Sequence, residues 1–174
     1  MAGEKGTSRV RRWLRILSEV LLIALAVGTL GLWCSVPDTS RLRTRNPTST
    51  AFIDLRREQN AGNKQWKLHW QWRSLNRISR YLRAAVVFAE DGNFYSHAGV
   101  DWHAIEDAVE KDVTRGALQV GGSTITQQVA KNLYLSPKRS MARKLREMLI
   151  AFSLEDDLSK QRILELYLNI AEWG

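Results

Sequence analysis

Cysteine is all but missing from this chain. Cys34 is the single one in 174 residues, so no internal disulfide can form, and a fold outside the cytoplasm would have to do without that staple. Proline is nearly as scarce, at three residues, in a composition that is 44% hydrophobic and 25% charged and therefore that of a chain able to fold. No internal repeat and no low-complexity tract is present. Neither G-x-x-x-x-G-K-[ST] nor G-x-G-x-x-G occurs, so the usual glycine-rich phosphate loops are lacking. Acidic residues are thin near the N-terminus. Residues 1–50 carry eight basic and three acidic side chains, +5 of the formal net charge of +8, which leaves only +3 for the remainder. That placement argues first for membrane topology and anionic lipid, and speaks against nucleic acid as a partner.

What the N-terminus does contain is a long apolar run. From Val20 to Cys34 it is interrupted only by Gly and Thr, and residues 14–34 together are long enough for a hydrocarbon core of ~30 Å. Trp13 and Trp33 stand at its two ends, as interfacial aromatics do, and Arg9, Arg11, Arg12 and Arg15 precede or open it. This reads as a single-pass anchor with its N-terminus in the cytoplasm and the rest of the chain across the membrane. A cleaved signal peptide is the alternative, although the run is long for one and no A-x-A makes a convincing cleavage site. A lipoprotein at Cys34 is disfavoured by the bulky Trp33 before it.

The organisation that follows is a basic tail (1–13), the anchor (14–34), a polar linker with two prolines (35–50) and a folded domain (51–174). Phe52 to Leu55 is expected as a short strand. Trp66, Trp70 and Trp72, mixed with Lys64, Lys67 and Arg73, form either an interfacial patch or the edge of a core. From Ser79 onward the pattern is helical. Leu82, Val86 and Ala89 share one face of a helix ending near Glu90, and Asp101 can cap a helix with Ile105, Ala108 and Val109 inward. Ser123 or Thr124 caps another with Ile125, Val129 and Leu133 inward. A helix from about Arg139 to Leu154 is expected to bury Met141, Leu145, Met148, Leu149 and Phe152. Ser159 caps a last one with Ile163, Leu166 and Ile170 inward.

Two of these helices carry polar stripes at i, i+4, i+8: Ser123, Gln127 and Lys131 on one, Arg139, Arg143 and Glu147 on the other. Each alone is adequate as solvated surface, and Arg143–Glu147 is adequate as a simple helical ion pair. Facing each other, they would form a cationic cleft suited to phosphate. Glu90 and Asp91 stand where a helix gives way to a loop, with Phe94, Tyr95 and His97 close behind. A carboxylate partly desolvated by such aromatics can act as general base or acid, while a plain acid in a helix-ending turn is the bland alternative. His97, His103 and Asp101 do not match a zinc spacing. No S-x-x-K, S-D-N or K-T-G appears, so no penicillin-binding serine site lies in the chain.

Four segments, E-D-G-N-F-Y-S-H-A-G-V-D (Glu90–Asp101), G-G-S-T-I-T-Q-Q-V-A-K-N (Gly121–Asn132), R-K-L-R-E (Arg143–Glu147) and K-Q-R-I-L-E-L-Y-L-N (Lys160–Asn169), resemble in order and spacing the motifs of the peptidoglycan glycosyltransferases. That family comprises the monofunctional transglycosylases and the glycosyltransferase domains of class A penicillin-binding proteins. The resemblance covers about residues 75–174 and implies a mainly α, lysozyme-like lobe with a small membrane-associated jaw, preceded by the transmembrane helix. It implies polymerisation of lipid II into β-1,4 glycan strands with inversion and release of undecaprenyl pyrophosphate, at the bacterial inner membrane. By the same resemblance Glu90 is the general base, Lys131, Arg139 and Arg143 contact the pyrophosphate, and Ser123 and Gln127 line the donor cleft. Glu147 is the second essential acid, holding a divalent cation (Mg or Mn) or the pyrophosphate region, and Glu155 and Glu165 are structural. The implied partners are lipid II, the growing glycan strand, membrane lipid and other wall-synthesis or division proteins. The family pattern runs on for several helices beyond N-I-A-E-W-G, so the resemblance implies an incomplete lobe. Leu166 and Ile170 are expected to lack packing partners, and the chain to be poorly stable or inactive as it stands. A lysozyme-like lytic glycosidase and a non-enzymatic membrane-anchored fragment are the competing functions. A phosphate clamp argues against the first, since a neutral glycan needs none.

Overall fold

The computed structural model describes residues 3–107, 122–138 and 140–172, with residues 3–10 described by backbone alone. Every regular element among them is helical. Two compact units divide at the end of the first helix, Met1–Val36 and Pro37–Gly174.

The first unit is α1, Gly3–Cys34. Its 24 residues from Arg11 to Cys34 are apolar and long enough to cross a membrane, about 36 Å at 1.5 Å per residue. The interruptions are neutralised locally. Ser18 and Thr29 donate their hydroxyls back to the Arg15 and Ala26 carbonyls, and Arg15 pairs with Glu19 at 3.4 Å. Trp13 and Trp33 are both open to their surroundings at its ends.

The second unit is a helical lobe. Its elements are α2 (Ala51–Gln59), α3 (Arg80–Glu90), α4 (helical over 102–107), α5 (Ile125–Tyr134), α6 (Met141–Asp157) and α7 (Lys160–Ile170), with short 3-10 turns at Ser40–Arg43 and Leu75–Arg77. Hydroxyl caps start five of them: Thr50 accepts from Ile53 N, Ser79 from Tyr81 N, Thr124 from Gln127 N, Ser140 from Arg143 N and Ser159 from Arg162 N. The expected strand at Phe52–Leu55 is instead the first turns of α2. Thr50 supplies a cap, and no strand among the described residues offers a ladder to join.

The core forms where α5 packs on α6 and α7. Ile125, Val129 and Leu133 point inward as their spacing requires, and Ile163, Leu164, Leu166 and Ile170 meet them from α7. Leu166 and Ile170 therefore have the packing partners they were expected to lack. Part of the cover over α7 comes from the tryptophan segment, which settles on the core-edge alternative. Trp70 Nε1 donates to the Asn169 carbonyl at 2.7 Å, Trp72 Nε1 donates to Glu165 at 3.3 Å, and the two rings meet edge to face. Glu165 also accepts from Leu75 N, a structural role, as expected.

Two predicted faces are rotated. On α3 only Val86 is buried, while Leu82 and Ala89 are exposed. On α6, Met141 and Leu145 are exposed and Met148, Leu149 and Phe152 are half-buried. The buried set is Glu147, Ile150, Ala151 and Leu154. Apolar periodicity misreads this helix because its inward face includes a charge, which burial tolerates only when counter-charges accompany it. Ala108, Val109 and Arg139 lie outside the described residues.

Candidate active site

The site is assembled by the loop after α3. Glu90 is the last residue of that helix, and Asp91, next to it, turns inward and is buried. The Asp91 carboxylate accepts the backbone N–H of Ile125, the first residue of α5, at 2.9 Å and contacts His97 Nε2 with both oxygens at 2.9 and 3.0 Å. A carboxylate at a helix N-terminus meets unpaired amide donors and the positive end of the dipole. This contact ties the end of α3 to the start of α5. The loop is clasped twice more, by Thr124 Oγ1 donating to the Gly99 carbonyl at 2.6 Å and by Lys160 Nζ donating to the His97 carbonyl at 2.7 Å. Lys160 also reaches Glu155, which accepts from Thr126 as well, a structural role as expected. Phe94 is fully buried under this loop, edge-on to Tyr95 and His97. These aromatics thus belong to the Asp91 side of the loop, and the carboxylate they were expected to desolvate, Glu90, remains exposed.

Beside Glu90 opens a cleft of about 570 Å³, lined by Glu90, Asn93, Asp101, Ser123, Thr124 and Gln128 among others. Gln128 Nε2 donates to Glu90 Oε2 at 2.8 Å. Tyr167, buried on α7, donates its hydroxyl to Gln128 Oε1 at 3.5 Å. Burial, and after it the Glu90 charge, push the Tyr167 phenol up to about 12. Gln128, which holds Glu90, and Tyr167 behind it are therefore both neutral.

Glu147 is placed very differently. It is buried on α6, with Arg143 Nη1 donating to one oxygen at 2.6 Å and Lys144 Nζ to the other at 2.6 Å. Lys144 also donates to Ser123 Oγ at 2.9 Å, which brings the edge of the cleft into line with the Arg143–Glu147 stripe. Arg143 Nε is buried without a hydrogen-bond partner. A divalent cation does not fit this arrangement. Both Glu147 oxygens are occupied by cations, and no cluster of three or more His, Cys, Asp or Glu side chains able to hold a metal is found among the described residues.

The other predicted residues divide. Gln127 is buried, and its side-chain carbonyl accepts the Thr124 N–H to complete a capping box, so it supports the start of α5 and does not line the cleft. Its Nε2 is buried without a hydrogen-bond partner. Lys131 is half-buried, with its ammonium 5.7 Å from the centre of the Phe52 ring of α2.

A family model described as Transglycosylase matches residues 58–174. The chain belongs to the transglycosylase family. Similar proteins include the biosynthetic peptidoglycan transglycosylases of Alcanivorax borkumensis (45% identical over 160 residues, 92% of this chain and 63% of that protein), Aromatoleum aromaticum (42% over 171 residues, 98% and 70%) and Herminiimonas arsenicoxydans (47% over 170 residues, 93% and 68%). The chain thus spans roughly two thirds of the length of these relatives, and somewhat less for the first. It joins them as a member of a peptidoglycan glycosyltransferase family whose helical lobe is accompanied by one apolar helix suited to a membrane anchor.

Within this transglycosylase lobe, reading the sequence missed Asp91 as the anchor of α5, and Gln128, Lys144 and Tyr167 altogether. Gln128 adjoins Gln127 in the T-Q-Q run. One residue is 100° of helix rotation, and only the capping box decides which glutamine points to the core. Lys144 was open to discovery as the i−3 neighbour of Glu147. Tyr167 had no local signal, since it lies 77 positions after Glu90.

Proposed function

We propose that this chain carries the catalytic cleft of a lipid II polymerase of the bacterial cell wall. In this reading Glu90 takes the proton of the acceptor sugar's 4-hydroxyl. The freed oxygen bonds to the anomeric carbon of the growing strand from the face opposite the leaving group, the bond from that carbon to the lipid pyrophosphate breaks with its electron pair, and configuration inverts. Arg143 and Lys144 supply positive charge for the departing pyrophosphate, where charge develops most. Arg139 and Lys131 belong to the same clamp in this reading, Ser123 lines the donor side, and no step is routed through a metal.

The observation that carries the assignment is the contrast between the two acids. Glu90 is open to the cleft and held by the uncharged amide of Gln128. Glu147 has both oxygens committed to cations. α1 supports a membrane anchor, and its preceding arginines support an N-terminus inside the cell with the lobe outside, where lipid II presents its sugars.

The test is polymerisation of lipid II in detergent or vesicles, read as glycan strands on a gel. Glu90→Gln is expected to lower the rate by at least 10²-fold, in line with removal of a general base. Strands formed at an undiminished rate by that variant would sink the assignment. Release of sugar from purified wall with no strand synthesis would favour a lytic glycosidase.

A further inference from the structure

A general base at a cleft mouth must point one way. Glu90 is exposed at the end of α3, where a free glutamate samples several rotamers. Two side chains from other helices lead to it in series. Gln128 of α5 donates to Oε2 at 2.8 Å, and the Tyr167 hydroxyl of α7 donates to Gln128 Oε1 at 3.5 Å. Tyr167 is only 4% exposed, and its own helix is fixed by Trp70 on Asn169 and Trp72 on Glu165. The phenol is therefore a rigid donor, delivered from the core to the amide that holds Glu90.

We propose that Tyr167 is a positioning residue for Glu90, acting through Gln128, whose amide it orients so that Nε2 holds the carboxylate toward the cleft. The role rests on the reading of Glu90 as base, but the contact itself is independent of it. A neutral phenol suits the task better than a cation. A lysine or arginine would restrain the carboxylate equally well and also stabilise its charge strongly, blunting it as a proton acceptor. Glu147, by contrast, has Arg143 and Lys144 on its two oxygens.

Two measurements separate the contact from its use. In the chain labelled with 13Cζ tyrosine, the resonance absent from Tyr167→Phe identifies Tyr167. That resonance is expected to move in Glu90→Gln by more than those of Tyr81, Tyr95 and Tyr134. If it moves no more than theirs, the contact and the proposal fall, whatever the reaction proves to be. In lipid II polymerisation, Tyr167→Phe is expected to lower kcat about tenfold with KM unchanged, the loss of the one hydrogen bond that orients the Gln128 amide on Glu90. In a Glu90→Gln background the same substitution is expected to have no further effect. An equal loss in both backgrounds would mean a purely structural tyrosine and would overturn the proposal. The exposed Tyr81→Phe serves as control and should leave both readouts unchanged.

Discussion

Asp101 shows how much one side chain can settle. Its carboxylate accepts the Ala104 N–H at the start of α4 and the Asn93 amide, both at 2.9 Å. The backbone donor first and the Asn93 amide second hold it below the usual carboxylate range, against the opposing effect of burial. Because the folded value is depressed, the stabilisation is present above the unfolded value of about 4 and is lost as pH falls through the folded one. The expected outcome is a urea midpoint that declines from about pH 5 to about pH 3, with a shallower decline in Asp101→Asn. Equal slopes for the two proteins would exclude Asp101 as a contributor. The cap itself was readable, since an aspartate before an apolar-periodic run is a local signal. Its bond to Asn93 was not, because a loop's path is set by what it packs on.

At the scale of elements, the loop between α3 and α4 is fixed by a close approach. Gly99 has φ of +87°, and a Cβ there would lie 3.2 Å from the Ala151 backbone and from Glu155 Cγ. Both backbone conformation and space thus require glycine. Gly99→Ala is expected to destabilise the lobe by about 2 kcal/mol, measured as a shift in the urea midpoint at unchanged slope. It should also weaken the Thr124 bond to the Gly99 carbonyl that starts α5. The same contact explains the α6 misreading. The helix turns its small Ala151 toward the loop, which carries Glu147, one turn earlier, inward among its cations and leaves Met141 and Leu145 outside. Hydroxyl caps and the stripes of α5 and α7 were legible because their causes lie within four residues. The rotations of α3 and α6 have causes dozens of positions away.

For the molecule as a whole, the division after Val36 carries a prediction. The helical lobe has its own buried core, so removing residues 1–36 is expected to leave its unfolding transition intact while abolishing flotation with lipid vesicles. Flotation retained at full strength would mean that the lobe binds membrane by itself. The lobe's own integrity depends on pairings across its length. Arg43 donates to the Asp157 carbonyl, Arg162 to the Leu42 and Arg45 carbonyls, Thr39 bonds Ser153 and Asp157, and Trp70 donates to the Asn169 carbonyl. Those partners are separated by roughly 100 to 120 positions. A ribosome adding about 5–20 residues per second needs on the order of ten seconds to make that much chain. Throughout that interval the apolar helix is complete while Thr39, Leu42, Arg43, Arg45 and Trp70 wait for the partners named above. The order of synthesis thus keeps the lobe slack until its last helices emerge, which is the state in which a polypeptide can be threaded through a narrow pore.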